Sequence, residues 1–133
     1  MKSSLIVSKE LKIIKNNEGD ILHGIKSSEN EFTSFGEAYF SKVKYKKIKA
    51  WKKHLKMTCN LIVPIGEVHF VCVDSSLKYF SETIGEGNYK RLTIPPGIWF
   101  GFIGLKDPFS LILNLADIEH DANEMKKIYS DKI

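Results

Sequence analysis

Turn-forming residues interrupt this chain so often that there is little room for any element longer than a strand. Asn16-Asn17-Glu18-Gly19-Asp20, Ile65-Gly66-Glu67, Gly85-Glu86-Gly87-Asn88 and Pro95-Pro96-Gly97 separate short runs rich in β-branched and aromatic residues. Those runs fall at residues 11–14, 21–25, 38–43, 59–65, 68–73, 77–84, 89–94 and 109–115. Turn signals about eight to twelve residues apart predict a small all-β barrel. Leu61, Ile62 and Val63 are apolar on both faces of their strand, which suits a closed barrel or sandwich better than a one-sided sheet. Residues 27–34 are polar and read as a loop. Only the end of the chain reads differently. Asp121 and Glu124 have capping-box spacing, and Met125 and Ile128 would share an apolar face, which predicts a short C-terminal helix.

With 133 residues the chain fits one domain spanning 1–133. Hydrophobic residues at 43% and charged residues at 27% exclude a disordered or fibrous class. No apolar run approaches the roughly 18 residues needed to cross a bilayer, so no membrane partner is expected. The first ten residues lack the pattern of a secretory leader. Cys59 and Cys72 both sit in apolar strand sequence with neither disulfide-framework nor zinc spacing, so a reducing cytoplasm is the expected compartment.

The net charge of +4 is local in origin. Residues 42–56 hold eight lysines and no acid, and the remainder of the chain carries −4. Such a cluster attracts a phosphorylated small ligand or a nucleic-acid backbone, or it simply solvates a strand edge. Against nucleic acid, the cluster contains no arginine and only Tyr45 and Trp51 as aromatics, too few for a stacking platform.

Two motifs carry a family resemblance. Lys49-Ala50-Trp51-Lys52-Lys53-His54-Leu55-Lys56-Met57-Thr58, running into Leu61-Ile62-Val63-Pro64-Ile65-Gly66-Glu67-Val68, resembles the first half of a cupin of the dTDP-4-dehydrorhamnose 3,5-epimerase superfamily. Ile94-Pro95-Pro96-Gly97-Ile98-Trp99-Phe100-Gly101-Phe102 resembles the second half, whose usual form is I-P-P-G-V-W-H-G-F. Gly36-Glu37-Ala38-Tyr39-Phe40-Ser41 and Asn114-Leu115 resemble the flanking strands. The resemblance implies a double-stranded β-helix, a jelly-roll barrel that is usually dimeric. It also implies an epimerase or ketoisomerase acting on nucleotide-linked 4-keto-6-deoxy sugars for surface polysaccharides.

The departures from the family pattern define the candidate site. Relatives commonly read W-H-x-H, and here the first histidine, the base in the epimerases, is replaced by Lys52 while the second is kept as His54. The histidine of W-H-G-F is replaced by Phe100. The metal-binding positions of other cupins fall on Lys52, His54, about Thr58, and Phe100. A catalytic metal needs about three protein ligands, so no metal and no cofactor are expected. Epimerisation beside a ketone needs a base for the α-proton and a donor for the enolate oxygen. His54 is the candidate base, Lys52 a second base or enolate holder, and Tyr39 the proton donor. Asn60 and Asn114 interrupt apolar strands and are candidate substrate contacts, with Trp99 for stacking and Lys49 and Lys56 for a diphosphate. His23, His69 and His120 have no supporting motif. The expected partner is a nucleotide-diphospho sugar. The alternative, favoured by Lys52 and Phe100, is a binding module that has lost its base.

Overall fold

The computed structural model describes residues 5–133 as two facing five-stranded antiparallel sheets. In chain order the strands are β1 (Val7–Glu10), β2 (Ile13–Ile14), β3 (Ile21–Leu22), β4 (Glu37–Lys44), β5 (Ile48–His54), β6 (Cys59–Ile65), β7 (Glu67–Val73), β8 (Tyr79–Gly85), β9 (Lys90–Ile94), β10 (Trp99–Gly104), β11 (Phe109–Ala116) and β12 (Met125–Ser130). One sheet has the order β1-β9-β6-β11-β4 and the other β12-β5-β10-β7-β8, with β2-β3 as a separate ribbon. This is the expected cupin jelly roll. No helix among the described residues is long and apolar enough to cross a membrane.

Period-two alternation builds the core. On β7, Val68, Phe70 and Cys72 are fully buried, while the residues between them face out. Leu61 and Val63 of β6, Leu92 and Ile94 of β9, and Ile112 and Ala116 of β11 answer from the opposite sheet. The expected hairpin at Gly66 is present. Its φ of +90° is available to glycine at little cost, and a Cβ there would collide with Ser110. Gly101 serves the second motif differently: β10 shifts register against β5 between Phe100 and Phe102, and a Cβ at Gly101 would press on Ala50.

The expected C-terminal helix does not form. Residues 125–130 make β12, paired with β5, and only a 3₁₀ turn over Ala122–Glu124 remains. Asp121 caps that turn by accepting from the Asn123 amide at 2.9 Å. A capping box would need Glu124 to reach back to Asp121, but its carboxylate is turned inward instead.

The polar segment 27–34 is also more than a loop, because it closes over the outer face of the first sheet. Arg91, fully buried, donates from Nη1 to the Gly24 carbonyl (2.7 Å) and from Nη2 to Glu29 and Glu31 (2.8 and 2.9 Å). Lys9 adds a second contact to Glu29 at 2.8 Å. Arg91 pulls the Glu29 carboxyl from 4.5 to about 2, against the opposing effect of burial. The stability this contributes is complete above pH 4.5 and is lost as the pH falls towards 2. Thermal melts of wild type and Glu29→Gln across that interval should converge as the pH drops. Curves that stay parallel would remove Glu29 from the acid response.

Candidate active site

His54 closes β5 with its side chain on the inner face, 3% exposed, and Phe100 stacks on it with ring centroids 6.2 Å apart. Its Nδ1 lies 2.5 Å from Oε1 of Glu124. The other oxygen of Glu124 accepts from the amides of Leu55, Lys56 and Met57 at 3.1, 3.0 and 3.2 Å. One buried carboxylate therefore fixes both the β5–β6 turn and the imidazole.

Burial holds the His54 imidazolium below the ordinary 6.5, outweighing the Glu124 hydrogen bond, and the nearby Lys52 charge acts in the same direction. For Glu124, burial opposes the charge, but the hydrogen bonds from His54 and the turn amides prevail and lower its pKa. The pair is thus a neutral imidazole and a carboxylate. With Nδ1–H donated to Glu124, the lone pair sits on Nε2, the arrangement a general base requires.

Tyr39 stands on β4 in the opposite sheet, half-buried and directly across from Asn114 of β11. Asn114 donates from Nδ2 to the Tyr39 hydroxyl at 2.9 Å and accepts the Asn60 amide at 3.1 Å. Burial raises the Tyr39 pKa despite that bond, so the phenol keeps its proton. Because its oxygen is already an acceptor, the O–H remains available as a donor. Lys52, two residues before His54, shares the inner face. Burial lowers its pKa, and Lys127 and Lys49 act the same way. The Glu124 charge acts on Tyr39, Lys52 and His54 alike, and the Lys52 charge acts on His54. Cys59 borders the same space, but burial pushes its thiol up to about 12, which leaves it inert as a nucleophile.

A pocket of about 370 Å³ opens outward from Lys52. Lys49, Lys52 and Lys127 line it, with Trp51, Phe100 and Tyr129 as aromatic walls. Lys49 also donates to the Lys42 carbonyl at 2.7 Å.

Three expected contacts lie elsewhere. Cys59 and Leu61 of β6 point inward, so alternation sends Asn60 to the opposite face of the sheet. There it accepts from the Thr93 hydroxyl at 2.6 Å and donates to the Glu31 carbonyl at 3.4 Å, beneath the Arg91-bound segment. Trp99 faces outward for the same reason, since Phe100 takes the inner position, and Lys53 sits over its ring at 5.0 Å. Lys56 is exposed on the turn beyond His54 and does not line the pocket. Sequence reasoning missed Glu124 and Lys127, which lay in the residues read as a helix.

At the positions where other cupins bind metal, Phe100 offers no donor atom, Lys52 is no ordinary ligand for a divalent ion, and only His54 has a ring nitrogen to offer, its Nε2. No group of three or more metal-ligating side chains occurs among the described residues. These residues do not fit a divalent ion.

No family model and no curated protein matches the sequence. Solved structures do match. A dTDP sugar isomerase from Desulfovibrio desulfuricans G20 is 35% identical, with a TM-score of 0.91 over 95% of this chain and 85% of that one. A sugar 3,4-ketoisomerase from Thermoanaerobacterium thermosaccharolyticum, crystallised with TDP, shares the fold at 17% identity and a TM-score of 0.79, covering 93% and 88% of the two chains. A dTDP-4-dehydrorhamnose 3,5-epimerase from Sulfolobus tokodaii does so at 21% identity and 0.82, covering 92% and 76%.

Proposed function

This chain belongs to the dTDP-4-dehydrorhamnose 3,5-epimerase-like superfamily of cupins, and from that membership and its buried His54–Glu124 pair we propose that it is a sugar-nucleotide epimerase or ketoisomerase. The substrate class is a nucleotide-diphospho 4-keto-6-deoxy sugar. Nε2 of His54 removes the proton on the carbon beside the ketone, and Glu124 stabilises the imidazolium that forms. Negative charge then grows on the carbonyl oxygen, where the Lys52 ammonium and the Tyr39 hydroxyl are the groups able to receive it. Return of a proton to carbon completes an isomerisation with no change in oxidation state.

The observation that carries this reading is the His54 imidazole held through Nδ1 by the buried Glu124 carboxylate, which leaves Nε2 as the atom able to accept a proton. Lys52 and Phe100, standing where relatives have histidines, favour the alternative of a nucleotide-sugar-binding module. Metal independence, a homodimeric assembly, a cytoplasmic location and a place in surface polysaccharide synthesis belong to the same proposal. Incubation with dTDP-, GDP- and UDP-linked 4-keto sugars in heavy water, followed by proton NMR, tests it. Deuterium should enter a carbon next to the ketone of one substrate, unchanged by a chelator. Tight binding without exchange would establish the binding module in its place.

A further inference from the structure

We propose that Asn114 is a positioning residue, which turns the Tyr39 proton towards the reacting sugar and steadies the phenolate left behind. This role rests on the isomerase reading above, in which Tyr39 faces the developing oxyanion, and adds the group that sets the direction and strength of that acid. Asn114 lies in the middle of β11, 3% exposed, between Tyr39 of β4 and Leu61 of β6. A buried amide is an unfavourable occupant of a strand unless its polar atoms are paired.

The pairing also fixes which end of the amide faces which neighbour. The Asn60 backbone N–H can only donate, so Oδ1 of Asn114 is the atom that meets it, at 3.1 Å. Nδ2 is thereby turned to Tyr39, 2.9 Å from the hydroxyl oxygen. An amide NH2 accepts no proton, so the Tyr39 O–H cannot point back along this bond. Nδ2 also faces Met57 Sδ, 3.8 Å away, which occupies its second hydrogen. Both hydrogens being engaged, Asn114 stands behind Tyr39 and not against the substrate. The Met57 amide donates at 3.2 Å to Glu124, the carboxylate that holds His54. Contiguous contacts thus tie the orientation of the acid to that of the base.

One donor serves both states of the phenol. Before proton transfer, Nδ2–H occupies a lone pair of the hydroxyl oxygen and leaves the O–H to the cavity. After transfer, the same N–H donates to the phenolate, a stronger acceptor. Burial raises the Tyr39 pKa and the Asn114 bond opposes that rise. Without the bond, Tyr39 is a weaker acid whose hydroxyl is free to turn away.

Deuterium exchange into the dTDP-, GDP- and UDP-linked 4-keto sugars, together with carbon NMR of protein labelled at tyrosine Cζ, tests this in Asn114→Asp, Asn114→Ser and Tyr39→Phe. Asn114→Asp keeps the shape and the Asn60 bond but offers Tyr39 an acceptor, which draws the phenol proton out of the site. Asn114→Ser withdraws the donor without adding charge, and it carries the test if the buried aspartate prevents folding. Either change should lower kcat by about 10²-fold, within the range of a general acid, and leave KM within about threefold. In the Tyr39→Phe background neither should lower kcat further, because the route of action is gone. The Tyr39 resonance, identified by its loss in Tyr39→Phe, should move in both variants while those of the other four tyrosines stay. Wild-type kcat in the variants, an equal loss of kcat in the Tyr39→Phe background, or an unmoved Tyr39 resonance would overturn the assignment. The resonance is read without turnover. If it moves in a protein whose wild type exchanges no keto-sugar proton, the isomerase reading fails and the aiming of Tyr39 by Asn114 is upheld.

Discussion

Replacing His54 with asparagine should reduce solvent-proton exchange into the keto-sugar substrate by about 10³-fold or more, within the range that a positioned general base contributes. Affinity for thymidine diphosphate should stay within about threefold of wild type, because the role proposed for His54 is at the reacting carbon and His54 does not line the basic pocket. Asparagine can still hydrogen-bond Glu124, and the Phe100 ring still covers the site, so the fold is expected to persist. The pH profile gives an independent check. The active form of His54 is neutral, and burial places its pKa below 6.5, so the acid limb of kcat/KM should lie below that value. Glu124→Gln removes the group that raises the His54 pKa, so the acid limb should move to still lower pH while kcat falls. Full exchange activity in the His54→Asn protein would end the catalytic assignment. An unshifted limb in Glu124→Gln would mean that the carboxylate serves the β5–β6 turn alone.

The ways in which sequence reasoning about this site succeeded and failed have physical causes. His54 and Lys52 stand two apart on one strand, and period two alone places them on one face. Asn114 was legible as an amide in an apolar run, and its partner Tyr39 came from a neighbouring motif. Asn60 shows the limit of that argument. A polar residue in a buried strand must be paired, but the pairing can lie on either face, and only the positions of Cys59 and Leu61 decide which. Trp99 and Phe100 pose the same ambiguity one residue apart. The β-register slips at Gly101, where the chain offers only a glycine as a hint.

The C-terminal residues failed for a different reason. Asp121 and Glu124 have helix-start spacing, and nothing local shows that Glu124 bonds to a turn almost seventy residues earlier. Once that carboxylate turns inward, the following backbone satisfies its amides by pairing with β5. Long-range hydrogen bonding overrides local propensity here, and it also brings Lys127 to the pocket.

The same limit hid a buried cation that holds residues 24–31 to the first sheet. Arg91 is the chain's only arginine, and it lies in a strand that reads as apolar. It sits fully buried between the sheet and residues 24–31, paired with Glu29 and Glu31. Replacing it with methionine keeps much of the side-chain volume but leaves two partly buried carboxylates facing each other with only the half-exposed Lys9 beside them. Breaking a buried ion pair from one side costs about 3–5 kcal/mol, and the residual exposure of the two glutamates favours the lower end. For a chain of this length about 3 kcal/mol corresponds to a fall in Tm of about 10 °C. The charge origin of the loss can be separated from packing. Adding Glu29→Gln and Glu31→Gln to Arg91→Met removes the unpaired charges and should recover a large part of the lost Tm. If the triple variant melts no higher than Arg91→Met, the guanidinium acts by filling space and the ionic account fails. If Arg91→Met alone melts like wild type, the clasp over the first sheet contributes nothing, and residues 24–31 are held by their backbone contacts.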